Sequence, residues 1–278
     1  MIRKKRLNRL GTGLFTFISI FYVLPVVVVL FNSFKKKSYI NLEPFKLPNE
    51  TTFTGLDNYA TAINQYDFLK AVGWTVFITV GSVLVILICT SMCAWFITRV
   101  RTRVTKAIYI LCVFSMVVPF QMVMFTLSLV TDRLGLGTPW GLIIIYLGFG
   151  AGLAVFMFCG FVKSIPIEIE EAAMIDGCSP IRTFFSVVLP IMKPTYISVG
   201  ILETMWIWND FLLPYLTLDI KKYKTISIVI QYMKGSYGRV DMGAIMAALI
   251  MAVIPVVVFY LSCQKYIIKG VAAGAVKG

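Results

Sequence analysis

Histidine is absent from all 278 residues of this chain. That removes the usual general base, the commonest metal ligand and the side chain that titrates near neutrality. Charge is scarce as well: 14% of residues are Asp, Glu, Lys or Arg, and 13 acids face 26 bases. No G-x-x-x-x-G-K-[ST] phosphate loop occurs, so if ATP drives this protein another chain binds it. Gly148, Gly150 and Gly152 follow no strand and lie in an apolar run, where glycine serves close helix packing. No internal repeat is visible, which withholds support from inverted-repeat carriers. The six cysteines (Cys89, Cys93, Cys112, Cys159, Cys178, Cys263) fall in apolar segments or on the expected cytoplasmic side. No disulfide framework follows from them. Cys89 and Cys93 share a helix face, but two thiols alone make a poor metal site. No metal or cofactor is expected.

What the chain has in quantity is apolar surface, with 59% of its residues hydrophobic. A membrane-crossing helix needs about 20 apolar residues to cover roughly 30 Å of hydrocarbon. Runs of that length predict spans at about 10–34, 71–98, 107–131, 139–162 and 242–264. A further span at 190–218 is interrupted by Glu203 and Asp210. The expectation is an all-α membrane protein of six transmembrane helices, a single domain over 1–278. Arg3, Lys4, Lys5 and Arg6 before the first run suggest a secretory signal. Its apolar core is too long for one, and Phe34-Lys35-Lys36 offers no small-residue cleavage site, so an uncleaved span is expected.

The net charge of +13 is distributed in a way that argues against nucleic acid. Basic residues precede the first span, fill the short loop Arg99, Arg101, Arg103 and Lys106, and follow the last span at Lys265, Lys269 and Lys277. Short Lys/Arg-rich loops stay in the cytoplasm. Both termini are therefore expected inside, in a multi-pass protein of the cytoplasmic membrane. Lys35–Lys37 and the Lys221, Lys222, Lys224 cluster break the rule by falling outside. The segment 35–70 reads as an irregular outer loop leading to a short surface helix near Asp57. The segment 221–242 reads as an outer loop with a short re-entrant or surface element. Pro119 is expected to kink the third span, with Gln121 two residues on.

The loop 164–190 is organised as two short helices. Ser164 and Pro166 suit a helix start, and Glu168, Glu170 and Glu171 suit its positive end. Gly177 can end it in the left-handed conformation. Ser179 and Pro180 start a second helix. Ala172 and Ala173 keep one side slim enough for a groove, and Glu171 can pair with a base on a partner. An amphipathic connector resting on lipid is the alternative, but an acidic face suits an anionic leaflet poorly.

Glu171-Ala172-Ala173, then Gly177, then Leu189-Pro190 resembles the cytoplasmic loop of ABC importer permeases. Trp208-Asn209-Asp210-Phe211-Leu212-Leu213-Pro214 and the ending from Gln264 to Gly278 resemble the carbohydrate branch, in particular the six-span sister permease of maltose-type systems. The resemblance implies an importer subunit for sugars or oligosaccharides, with no catalysis of its own. Glu171, Ala172, Ala173, Asp176 and Gly177 would dock a cytoplasmic ATP-binding subunit dimer. It also implies a heterodimer with a sister permease, an extracytoplasmic sugar-binding protein above, and membrane lipid around. Glu203, Trp206, Asn209, Asp210 and Gln121 are candidates to line the sugar path. Capping or bonding to the partner permease is the alternative for Asn209 and Asp210. The tail 270–278 either frays or reaches the ATPase. A polyol or glycerol-phosphate-type solute is a rival cargo, and an ion-coupled secondary transporter is a rival class.

Overall fold

The computed structural model describes the backbone of residues 2–235 and 240–275, and the side chains of 11–235 and 240–266. The described residues are helical, with a single isolated antiparallel bridge between Lys35 and Phe53. In order the helices are α1 (Ile2–Asn32), α2 (Lys37–Leu42), α3 (Asp57–Gln65), α4 (Phe68–Arg99), α5 (Arg103–Ser115), α6 (Phe120–Arg133) and α7 (Pro139–Val162). Then follow α8 (Ile167–Ile175), α9 (Pro180–Thr183), a π turn (Phe184–Val188), α10 (Leu189–Ile191), α11 (Lys193–Asn209), α12 (Leu212–Thr217), α13 (Ile226–Met233) and α14 (Met242–Ala275). Residues 236–239 of the outer loop and 276–278 of the closing motif lie outside the described residues.

Four helices are each long and apolar enough to cross a membrane: Gly11–Asn32, Phe68–Arg99, Pro139–Val162 and Met242–Tyr266. Two further spans qualify only as bent pairs. Arg103–Ser115 and Phe120–Arg133 meet at 105°, and Pro180–Ile191 meets Lys193–Asn209 at 79°. The expected kink at Pro119 is thus a full break. Proline disfavours a helical residue before it and lacks the N–H that would continue the ladder. Pro119 itself is extended, with φ −62° and ψ 135°, and α6 starts anew behind it. The stretch 190–218 is likewise not one helix. It turns at Met192 and opens again at Asp210.

The chain forms two compact units, Met1–Lys70 with Ile228–Val257, and Ala71–Ser227 with Val258–Gly278. In the first unit Asn58 organises the loop after α1. Its amide nitrogen donates to the carbonyls of Ser33 and Lys35, each at 2.8 Å. Lys35 is buried, with its ammonium on the Glu43 carbonyl at 2.8 Å and 4.9 Å from the centre of the Phe31 ring. Burial pushes the Lys35 pKa down, against the pull of Glu43. Lys36 donates to the Thr51 carbonyl at 2.8 Å. Two of the lysines that break the charge rule, Lys35 and Lys36, are therefore committed to local backbone acceptors, while Lys37 is exposed and Lys222 pairs with Asp219 at 3.5 Å.

In the second unit α7 is the central helix, buried through more than half of its most apolar window. Gly150 and Gly152 permit its close approaches. A Cβ on Gly150 would meet Ile86 Cδ1 at 2.7 Å and Glu203 Oε2 at 2.9 Å. One on Gly152 would meet Met116, the Cys112 carbonyl and Ser115 at 2.6–2.7 Å. Gly148 is exposed and meets nothing, so the packing reading holds for two of the three glycines.

A candidate docking hairpin and a candidate pathway helix

The loop after α7 folds as two short helices joined at Gly177. α8 begins behind Pro166, and Ser164 does not cap it: its hydroxyl donates to the Phe161 carbonyl at 2.7 Å instead. The expected cap fails because Ile165 and Pro166 stand between Ser164 and the first helical residue, Ile167, so the N-cap position falls on Pro166. Gly177 has φ +84°, and the Cys178 N–H returns to the Ala173 carbonyl at 3.0 Å, closing the C-terminus of α8. Ser179 caps α9 through the Arg182 N–H at 3.3 Å, with Pro180 at the first turn.

The hairpin is fastened from behind by one residue, Glu170. It is 2% exposed and accepts from Arg99 Nη2 at 2.7 Å and Arg99 Nε at 3.0 Å. Its other oxygen accepts from the Trp95 indole N–H at 2.9 Å. Arg99 also donates to the Ile165 carbonyl at 2.9 Å, just before α8. Trp95 in turn packs against Phe184 of the π turn, ring centres 5.5 Å apart. One carboxylate thus ties the last turn of α4 to both ends of the hairpin. A buried charge is held only when its hydrogen-bonding sites are filled, and both oxygens of Glu170 are.

The other face of the hairpin is open. Glu171, Ala172, Asp176 and Gly177 are exposed and Ala173 is half-buried. Beside them Met174, Ile175 and Ile181 are 46%, 86% and 66% exposed. The structure gathers all five expected docking residues on one short helix and its terminal turn. Sequence reasoning missed Glu170 and Arg99 as a pair. In the sequence Glu170 reads as one of the acids that suit the start of α8, and Arg99 as one of the basic residues of a cytoplasmic loop.

The five expected pathway residues do not form one surface. Glu203 is 2% exposed and packs over Gly150, and its Oε2 has no hydrogen-bond partner among the described residues. Asp210 stands at the α11–α12 break. Its Oδ1 accepts from the N–H groups of Leu212 (3.0 Å) and Leu213 (3.4 Å), and its Oδ2 from the Tyr146 hydroxyl at 2.9 Å. That is a helix cap plus a brace to α7. Trp206 packs edge-on to Tyr146 at 5.4 Å yet remains 40% exposed. Asn209 is exposed and donates back to the Met205 carbonyl at 2.7 Å. Gln121, in the first turn of α6, is exposed. The described residues hold no group of three or more His, Cys, Asp or Glu placed for a metal, and the described cysteines are free thiols.

Four helices long and apolar enough to cross a membrane, with two bent helix pairs besides, describe a membrane-embedded helical protein. The family model for the inner membrane component of binding-protein-dependent transport systems matches residues 86–273. This chain belongs to that family, whose members are membrane components of transport systems and not catalysts. It is 38% identical over 277 residues to the probable starch degradation products transport system permease protein AmyC of Thermoanaerobacterium thermosulfurigenes, covering 99% of this chain and 98% of that one. It is 35% identical over 266 residues to the multiple sugar-binding transport system permease protein MsmG of Streptococcus mutans serotype c, covering 93% of each. Its fold is similar to a chain of a bacterial ABC transporter involved in import of the acidic polysaccharide alginate. The TM-score is 0.74 at 20% identity, over 94% of this chain and 96% of that one.

Proposed function

We propose that the chain is the six-span permease subunit of an ATP-driven importer of sugars or oligosaccharides. Each bent pair counts as one span, both termini are cytoplasmic, and residues 1–278 form one permease domain. The observation that carries the reading is the hairpin α8–α9. It is fixed from within by Glu170 and presents Glu171, Ala172, Ala173, Asp176 and Gly177 outward, in a slim surface with apolar neighbours. A cytoplasmic ATP-binding subunit dimer is its partner. ATP binding closes that dimer, the hairpin moves with it, and the Arg99–Glu170 link passes the displacement to α4. Hydrolysis then resets the inward-facing state.

A sister permease completes the pathway, and an extracytoplasmic sugar-binding protein delivers cargo. The similarity to AmyC and MsmG, permeases for starch degradation products and multiple sugars, supports a carbohydrate substrate. So does the exposed pair Trp206 and Asn209, because sugars bind through ring stacking and amide hydrogen bonds. Gln121 contributes from α6, while Glu203 and Asp210 hold the path-forming helix in place. A polyol or glycerol-phosphate-type solute would use the same architecture.

The test is ATP-dependent uptake of radiolabelled maltodextrins and raffinose-type sugars in vesicles carrying all subunits, with co-purification of the ATPase followed in parallel. Glu171→Lys and Gly177→Val are expected to insert normally but to lose both uptake and ATPase association. Gly177→Val acts through backbone alone, since nothing lies within 4 Å of a Cβ there while φ is +84°. Full uptake by both variants would remove the docking reading.

A further inference from the structure

Beside the hairpin, but apart from its docking face, lies a cavity of about 540 Å³. It is an open concavity lined by the end of α4, the loop into α5, the first turns of α5 and the end of α7. Arg101, Arg103, Lys106 and Lys163 line it, with Tyr109 and the buried Thr105. None of its lining residues is acidic. Among the described residues none of the four cations is paired with a carboxylate; the nearby Arg99 is, to Glu170. Lys163 stands over the Tyr109 ring, 6.0 Å from its centre, and both residues line the cavity. All four cations are exposed, and together they present one concave positive surface to an anion that enters it.

The cavity opens at the N-terminus of α5, and the outer face of α5 says what kind of anion fits. Val104, Ile110, Leu111 and Phe114 are 68%, 54%, 68% and 59% exposed, on the helix that leads away from the cations. From Arg103 to Phe114 the helix rises about 16 Å at 1.5 Å per residue. That is close to half the roughly 30 Å hydrocarbon core. A free phosphate would use the cations alone, without the apolar face that α5 turns outward beside them. A phospholipid uses both, with its head in the cavity and its chains along α5. Basic pockets between spans at a cytoplasmic surface are suited to anionic headgroups.

We propose that the Arg101–Arg103–Lys106–Lys163 cavity binds the phosphodiester headgroup of an anionic phospholipid, whose acyl chains lie against α5. The inner-leaflet assignment rests on the orientation proposed above; the site itself does not. Neither does it depend on which solute is carried.

The experiment is native mass spectrometry of the delipidated full-length chain, titrated with phosphatidylglycerol, with phosphatidylcholine and with inorganic phosphate. The variant Arg103→Gln/Lys163→Gln removes two cavity cations and leaves Arg99, Arg101 and Lys106 to set topology. Phosphatidylglycerol is expected to bind wild type at least tenfold more tightly than phosphatidylcholine. The double variant is expected to lose that preference, Arg103→Lys/Lys163→Arg to keep most of it, and Lys37→Gln/Lys70→Gln to keep all of it. Unchanged preference in the cavity variant overturns the proposal, as does equal loss in the Lys37/Lys70 control. Displacement of the lipid by millimolar inorganic phosphate would make the occupant a soluble anion and overturn it too. A failed uptake assay touches none of these readings.

Discussion

Glu170 holds a carboxylate out of water beside Arg99 and Trp95, while Glu171 holds one in solvent. A helix turns about 100° per residue, so neighbours in sequence face different surroundings. The two residues should therefore fail differently. Removing one member of a buried pair costs about 3–5 kcal/mol, because the other is left buried and uncompensated. Glu170→Ala is expected to loosen α8, raising the rate of proteolytic cleavage within 164–182 and lowering the unfolding temperature by several degrees. Replacing both partners, as Arg99→Met/Glu170→Met, should recover part of that loss. Glu171→Ala should leave proteolysis and melting unchanged and weaken only ATPase association. Gly150 gives a second residue-scale contrast. Gly150→Val drives a side chain into Ile86 and Glu203 and should destabilise by about 1–3 kcal/mol by chemical denaturation. Gly160→Ala, with open space around it, should be neutral.

At the scale of elements, the breaks between helices matter as much as the helices. Asp210 ends α11 and starts α12 by accepting two backbone N–H groups and the Tyr146 hydroxyl. Asp210→Asn keeps an acceptor for the cap, whereas Asp210→Ala removes it. Loss of a cap is worth about 1 kcal/mol. Asp210→Ala is expected to melt below Asp210→Asn, with sugar affinity of the assembled transporter unchanged in both. A loss of affinity in Asp210→Asn at unchanged melting would instead place Asp210 on the sugar. The surface helix near Asp57, the left-handed turn at Gly177 and the Ser179 cap were legible in the sequence, because each depends on residues within a few positions. The break at Pro119 was legible as a kink only: its 105° size is fixed by packing, with α5 against α7 and Ser128 of α6 bonded to the Leu216 carbonyl near the end of α12. The Arg99–Glu170 pair was not legible, since its members lie 71 positions apart and each has a sufficient local reading. Nor was the inward aim of Glu203, because period alone does not tell a packed face from one lining a path.

At the scale of the whole molecule, orientation has a direct probe. Cys178 follows Gly177 at the hairpin turn and is half-buried. A membrane-impermeant maleimide is expected to leave it unlabelled in intact cells and to label it in inside-out vesicles, with Cys178→Ser as the control. Labelling from outside would invert the proposed topology. The same molecule must also be built in order. Glu203 sits past the middle of α11, and an acidic residue near a helix centre opposes insertion by about 2.5–3.5 kcal/mol. Its carboxylate lies against Gly150, on a segment that leaves the ribosome about fifty residues earlier. The segment 193–209 is thus a poor client for a translocon acting on one segment at a time. It gains its place once α7 is already waiting in the bilayer, so bulk at position 150 would be felt first as a defect of biogenesis, in chains degraded before any transport could be measured.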